Sequence, residues 1–265
     1  MSADRTPQPV QAVQPVQPVQ PVQPVLYTGI VLYSTQDPEA SAFVVQDGTI
    51  TWIGPEDTAA RLHRDLEVVD ATGSLVTPGF VDSAPCADGS APDAAWIASA
   101  PSRGVTAHVP GTTGTRDGIR VIAPVTEHEP LLSLSSQGTP LAFGSAGDPR
   151  AQDPWSWVRA AAHAGPRAER ISDRAAFLAA SRGGHRLAGH PHPGSLSPGV
   201  EATFVVWEPW DLTVHGQDQR IQTWSTDPRS RTPMLPDLSE GSPRVLRTVL
   251  AGRVVFEDSG RTGDR

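Results

Sequence analysis

The chain has 265 residues, a formal net charge of −8 and 38% hydrophobic residues set among 27 prolines and 24 glycines. An acidic balance with no lysine argues against a nucleic-acid partner and an anionic membrane surface, and no apolar run reaches the roughly 18 residues of a membrane span. A single cysteine, Cys86, rules out an internal disulfide, and the N-terminus lacks the apolar stretch of a secretory signal, which leaves the cytoplasm as the expected location.

Residues 8–25 run in QPV-type triplets. Proline at every third position fixes φ and removes N–H donors, so residues 1–25 are expected to form a disordered tail of polyproline II character. The tail lacks the basic anchor that proline-binding grooves use. From there to residue 70 the pattern is β. Residues 26–34 form one apolar run. The runs 42–46 and 49–53 flank Asp47-Gly48, a hairpin signal, and 66–69 form a further short strand. Leu75, Val76, Phe80 and Val81 suit a strand buried on both faces, kinked at Pro78-Gly79, with Asp82 near its C-terminal end.

Residues 93–99 read as a short helix, 104–109 as a strand stopped by Pro110-Gly111, and 112–118 as a loop. A weak strand at 119–123, a helix at 129–137 closed by Gly138, and a strand at 140–143 follow. Asp153 as N-cap and Pro154 at the first position start a helix over 154–164, with Trp155, Val158 and Ala162 at helical spacing. Ser172 caps a second helix over 173–182, which Gly183-Gly184 ends. A strand at 202–207 and a hairpin of 245–250 with 253–256 around Ala251-Gly252 complete the pattern. Residues 211–243 form a turn-rich excursion between them, and 259–265 a tail. Trp155, Trp157, Trp207 and Trp210 read as packing residues.

Several motifs recur in a fixed order: Asp47, Gly48, Ile50, Ile53 and Gly54; then Asp70, Gly73, Val76 and Pro78-Gly79-Phe80-Val81-Asp82. Phe143-Gly144-Ser145 follows, with 153–161 and 171–189 after it, and Gly194, Leu196, Pro198, Gly199, Thr248, Gly252 and Val255 close the chain. This order resembles the amidohydrolase superfamily, in particular its amidohydrolase 3 branch. The resemblance implies an α/β fold with a β-sandwich, its composite β-layer built from 26–78 and 195–258 around a (β/α) barrel piece. It also implies a hydrolase of carbon–nitrogen bonds other than peptide bonds, working on small-molecule amide-type substrates with water activated by zinc or another divalent metal.

The chain departs from that family where the ligands stand. The first-strand His-x-His positions are Ala84 and Cys86, no lysine exists to be carboxylated, and the aspartate after the last strand is Ala146, with Asp148 two residues later. At roughly 30 residues per βαβ unit, 79–194 leaves room for about four strands where a barrel has eight. The expectation is therefore a truncated barrel remnant with no catalytic residue and no bound cofactor or metal, Cys86 and Asp148 being the remaining donor candidates. The protein would be a catalytically degenerate amidohydrolase-like chain or, alternatively, a non-catalytic interaction protein using its β-layer or an exposed sheet edge. Oligomeric state stays open.

The remaining constellations read as structural. Asp82 braces its strand end. His185, His190 and His192 belong to a proline-flanked surface segment, with His190 and His192 pointing the same way if extended. Glu127-His128-Glu129 is a solvated trio. Ser145 directly follows Gly144, the wrong spacing for a nucleophile elbow.

Overall fold

The computed structural model describes residues 23–37, 39–189, 192–213 and 233–259. Most of the expected tail, His190 and the greater part of the excursion lie outside them. In chain order the first elements are β1 (Val25–Thr28), β2 (Val31–Leu32), β3 (Ala42–Gln46), β4 (Thr49–Gly54), α1 (Glu56–Leu62), β5 (Glu67–Asp70), β6 (Leu75–Pro78) and β7 (Phe80–Asp82). Next come α2 (Ala94–Ser99), β8 (Val105–His108), β9 (Gly114–Arg116), β10 (Ile119–Ile122), α3 (Leu131–Ser136) and β11 (Leu141–Phe143). The last are α4 (Pro154–His163), α5 (Asp173–Ala180), α6 (Arg182–Leu187), β12 (Phe204–Trp207), β13 (Leu212–Thr213), β14 (Leu235–Pro236), β15 (Val245–Leu250) and β16 (Arg253–Glu257).

Two sheets dominate the ends of the chain. One has the order β4-β3-β1-β5, the other β16-β15-β12-β6-β2, so the second interleaves strands from the two ends of the chain. The run predicted over 26–34 is in fact two strands. Gly29, at φ 72°, turns the chain between β1 and β2 and sends them into different sheets. Asp47 and Gly48, at φ 49° and 75°, form the tight turn their sequence announced. Tyr27 stacks on Phe43 at 4.7 Å, and the ring of Phe204 meets both edge-on at 5.3 and 5.1 Å. Val76, Phe204 and Val249 of the second sheet thus share one core with Tyr27, Phe43 and Val45 of the first.

Pro78-Gly79 separates two strands rather than kinking one: β6 pairs with β12, while β7 pairs in parallel with β8. Next to it, β10 and β11 run parallel. The N–H of Ser83 donates to the carbonyl of Phe143 (3.0 Å), and that of Ala146 to the carbonyl of Ala84 (2.7 Å). These two bonds advance along both chains together, which seats the end of β11 alongside β7. Among the described residues, β8, β7, β11 and β10 lie side by side without closing into a barrel.

Two local predictions need correction. The stretch read as a loop over 112–118 contains β9, which pairs antiparallel with β10 through Asp117 and Gly118, at φ 49° and 75°. That is the same Asp-Gly turn that marked the earlier hairpin, here beside a strand too polar to stand out. Gly183-Gly184 does not end the helical stretch but lies inside α6. A Cβ on Gly183 would lie 2.2 Å from the carbonyl oxygen of Leu141, and one on Gly184 would lie 2.3 Å from Cγ1 of Val81, so the pair lets this helix lie directly on β11 and β7.

Phe80 is the hub between the α/β piece and the β-layer. Its ring meets Trp155 of α4 at 4.9 Å, Phe177 of α5 at 5.4 Å and Trp207 of β12 at 5.9 Å, all four fully buried. The indole N–H of Trp207 donates to Thr77 Oγ1 (2.9 Å), that of Trp157 to the Ala151 carbonyl (2.7 Å), and that of Trp210 to the Asp237 carbonyl (2.7 Å). No helix among the described residues is long and apolar enough to cross a membrane.

Candidate functional site

Asp82 ends β7 and is 1% exposed. Its Oδ1 accepts from the N–H groups of Ala84 (3.1 Å) and Ser145 (3.0 Å), and its Oδ2 from the hydroxyl of Ser145 (2.6 Å). The Ser145 hydroxyl oxygen accepts in turn from the N–H of Gly147 (3.2 Å). Gly144 is required by the same crossing, since a Cβ there would lie 2.5 Å from the Ala84 nitrogen and 2.7 Å from Asp82 Oδ1. Burial raises the Asp82 pKa above the ordinary carboxylate value, while the bonds from Ser145 and Ala84 and the charge of Arg103 oppose the rise. The carboxylate ties the end of β7 to the loop after β11.

Ala84 and Ala146, the positions that the resemblance gives to metal donors, meet through their backbones at the Ala146 N–H to Ala84 C=O bond. Both side chains are methyl groups, and Ala84 is fully buried. Cys86 is a half-buried free thiol. Asp148 caps the 3₁₀ turn Pro149–Ala151, accepting from the Arg150 N–H (2.8 Å), and pairs with the Arg150 guanidinium at 2.9 Å. These bonds hold its carboxyl below the usual range.

Asp82, Ser145, Asp148, Arg103 and Trp157 line one cavity of about 40 Å³. At roughly 10–15 Å³ per water it holds a few waters, far below the about 300–1,000 Å³ of small-molecule sites. Among the described residues no three His, Cys, Asp or Glu side chains gather as metal donors. Of the two carboxylates on this cavity, one accepts three hydrogen bonds from Ser145 and Ala84 and the other is paired with Arg150. The donor set does not fit a divalent metal.

Two arginines at this end of the sheet were not singled out by the sequence reading. Arg103 lies over the Trp96 ring at 5.4 Å and donates to Ser99 Oγ (3.0 Å). Arg116, on the strand read as loop, spans the strand ends, donating to the carbonyls of Ser83 (2.7 Å) and Pro110 (2.8 Å). The only signal for Arg116 was the Asp117-Gly118 turn behind it.

The other constellations are engaged elsewhere. Glu127 accepts from the Thr113 hydroxyl (2.6 Å) and the Ala123 N–H (3.0 Å), and Glu129 pairs with Arg120 at 2.5 Å. The two glutamates are therefore bonded rather than simply solvated, while His128 between them is exposed. His185 and His192 stack with ring centroids 4.9 Å apart, while His190 lies outside the described residues. His192 Nδ1 accepts the Gly194 N–H (3.0 Å), so the proton of the neutral ring sits on Nε2. Binding a metal through Nε2 would move that proton to Nδ1, against the Gly194 N–H.

Burial, then His185 and Arg182, hold the His192 pKa down to about 4, with Glu201 acting in the opposite direction. A histidine with a depressed folded pKa binds protons more readily when unfolded, so its contribution to stability is lost as pH falls from about 6.5 to about 4. His192→Asn retains an acceptor for Gly194 and removes the titration. The variant is expected to melt with a flatter pH dependence across that window, and an unchanged slope in thermal denaturation would refute the assignment.

No protein-family model matches this sequence, and no curated protein does. Solved structures do. A guanine deaminase from Bradyrhizobium japonicum superposes with a TM-score of 0.56 at 13% identity, covering 90% of this chain and 100% of that one. The fold is amidohydrolase-like. An atrazine chlorohydrolase from Arthrobacter aurescens, solved with zinc, gives 0.55 at 12% identity over 88% and 95% of the two chains. An enamidase described as a member of the amidohydrolase superfamily gives 0.51 at 15% identity over 90% and 97%. At such identities the amidohydrolase-like likeness is one of fold, and the site must be judged on its own residues.

Proposed function

We propose that this chain is a catalytically degenerate amidohydrolase-like protein, derived from a hydrolase of carbon–nitrogen bonds other than peptide bonds. In this reading 26–78 and 195–258 form a composite β-sandwich, and 79–194 is a truncated barrel remnant. The carrying observation is the backbone bond between Ala84 and Ala146: the frame that would converge two donors persists, and both positions bear methyl groups. The neighbouring Asp82 serves as a brace, held by three hydrogen bonds from Ser145 and Ala84. The family's zinc and its small amide-type substrates therefore have no counterpart in this reading.

The test is metal analysis of the purified protein together with a hydrolysis screen on amides, hydantoins and formamides, with zinc and manganese supplied. Substoichiometric metal and no turnover above the uncatalysed rate are expected. One tightly held metal per chain, or metal-dependent turnover lost on Asp148→Ala, would overturn the reading. The second reading, an interaction protein built on the β-layer, is favoured by one observation, the exposed edge of β16, where Val254 and Val255 are 49% and 44% exposed.

A further inference from the structure

We infer that β16 is a self-association edge, which pairs antiparallel with β16 of a second copy of this chain. The four outer strands of the two large sheets differ in ways that single it out. β2 is only two residues long. β4 is covered at its start, where Ile50 exchanges bonds with Val200 and Gly199 (2.9 and 2.8 Å). β5 exposes Val68 but is bracketed by Glu67 and Asp70, so an antiparallel copy would set acid against acid. β16 has β15 as its one strand partner among the described residues.

The sequence of β16 runs from basic to acidic around an apolar centre: Arg253, Val254, Val255, Phe256, Glu257, then Asp258. The register against β15 shifts between Thr248 and Val249, which leaves Val255 opposite no residue, and Val254 and Val255 are both exposed. Pairing two such strands antiparallel places Arg253 of each copy against the Glu257-Asp258 end of the other, at both ends of the contact. Parallel pairing would put like charges together. Arg253 has no ion-pair partner among the described residues. Glu257 pairs with Arg247 and Asp258 lies 3.6 Å from Arg244, yet the Glu257 side chain remains 57% exposed and open to a second cation. Two five-stranded sheets would join edge to edge through backbone bonds, and the exposed valines of the two copies would become cross-strand neighbours on the faces of the joined sheet.

Sedimentation velocity over a concentration series tests this on the full chain. A reversible dimer is expected. Val255→Lys, at an exposed position, should make it monomeric at the same loading. Arg253→Glu alone, and Glu257→Arg with Asp258→Arg together, should each raise the dimer dissociation constant at least about tenfold, since each sets like charges opposite one another. An equimolar mixture of those two variants should recover a heterodimer, because each now carries the end the other needs. Circular dichroism melts close to wild type confirm that each variant folds. A wild-type chain that stays monomeric up to millimolar concentration overturns the inference, as does a dimer indifferent to Val255→Lys or a mixture that recovers no heterodimer. Metal content is measured separately, so this result stands or falls apart from the reading of the strand ends.

Discussion

Phe80→Ala is expected to lower the unfolding free energy by about 3–5 kcal/mol, the usual cost of removing a fully buried phenylalanine. The ring touches Trp155, Trp157, Phe177 and Trp207 at centroid distances of 4.9, 6.2, 5.4 and 5.9 Å, so its loss opens a cavity that rigid indoles cannot readily collapse into. The position matters as much as the area. Trp155 and Phe177 sit on helices of the α/β piece, while Trp207 sits on a strand of the composite sheet and is bonded to Thr77. Phe80 therefore couples the two parts, and wild-type unfolding should be a single transition. Denaturant titration followed by tryptophan fluorescence reads both effects, because three of the indoles line the hub. The variant should lose stability and lose the single step, separation into two transitions being the expected sign of uncoupling. A loss below about 1 kcal/mol would mean that the hub is not what holds the parts together. Val68→Ala, 55% exposed on β5, is the control and should change stability by less than about 0.5 kcal/mol.

Local chemistry made much of this fold readable. Asp47-Gly48 announced its hairpin, Asp153 and Ser172 announced their helix caps, and each cap accepts the backbone N–H expected of it, from Trp155 and Ala175. The errors arose where long-range packing decided the outcome. Gly29 looked like one residue of an apolar run, but the two halves of that run are drawn into different sheets by β3 and β6. Gly183-Gly184 carried a helix-ending signal, and close approach to Leu141 overrode it. At the candidate site, that Ala84, Cys86 and Ala146 stand where the resemblance expects donors was plain in the sequence. What filled their place was not. The bond between Asp82 and Ser145 spans 63 positions, and the reach of Arg116 to Ser83 spans 33, separations at which no spacing rule operates.

That Asp82–Ser145 lock carries the second large prediction. Asp82→Ala leaves two buried N–H groups and one hydroxyl without their acceptor, and should cost about 3 kcal/mol or more. Asp82→Asn should cost little. Its carbonyl oxygen can accept from the Ala84 and Ser145 N–H groups, as Oδ1 does now, while its amide N–H donates to the Ser145 oxygen. The pH dependence separates the two roles of the carboxyl group. Because burial raises its pKa in the folded chain, the folded state binds the proton more tightly than the unfolded one, and stability declines as pH rises above the unfolded value near 3.8. Asn removes that decline, so at neutral pH the variant should match or exceed wild type. The slope has the opposite sign to that of His192, which loses stability as pH falls, so the two substitutions flatten opposite sides of the profile. Chemical denaturation at several pH values distinguishes the outcomes. Should Asp82→Asn prove as destabilising as Asp82→Ala at neutral pH, the negative charge itself, facing Arg103, would be what the strand end requires, and the lock would be electrostatic rather than a matter of satisfied hydrogen bonds.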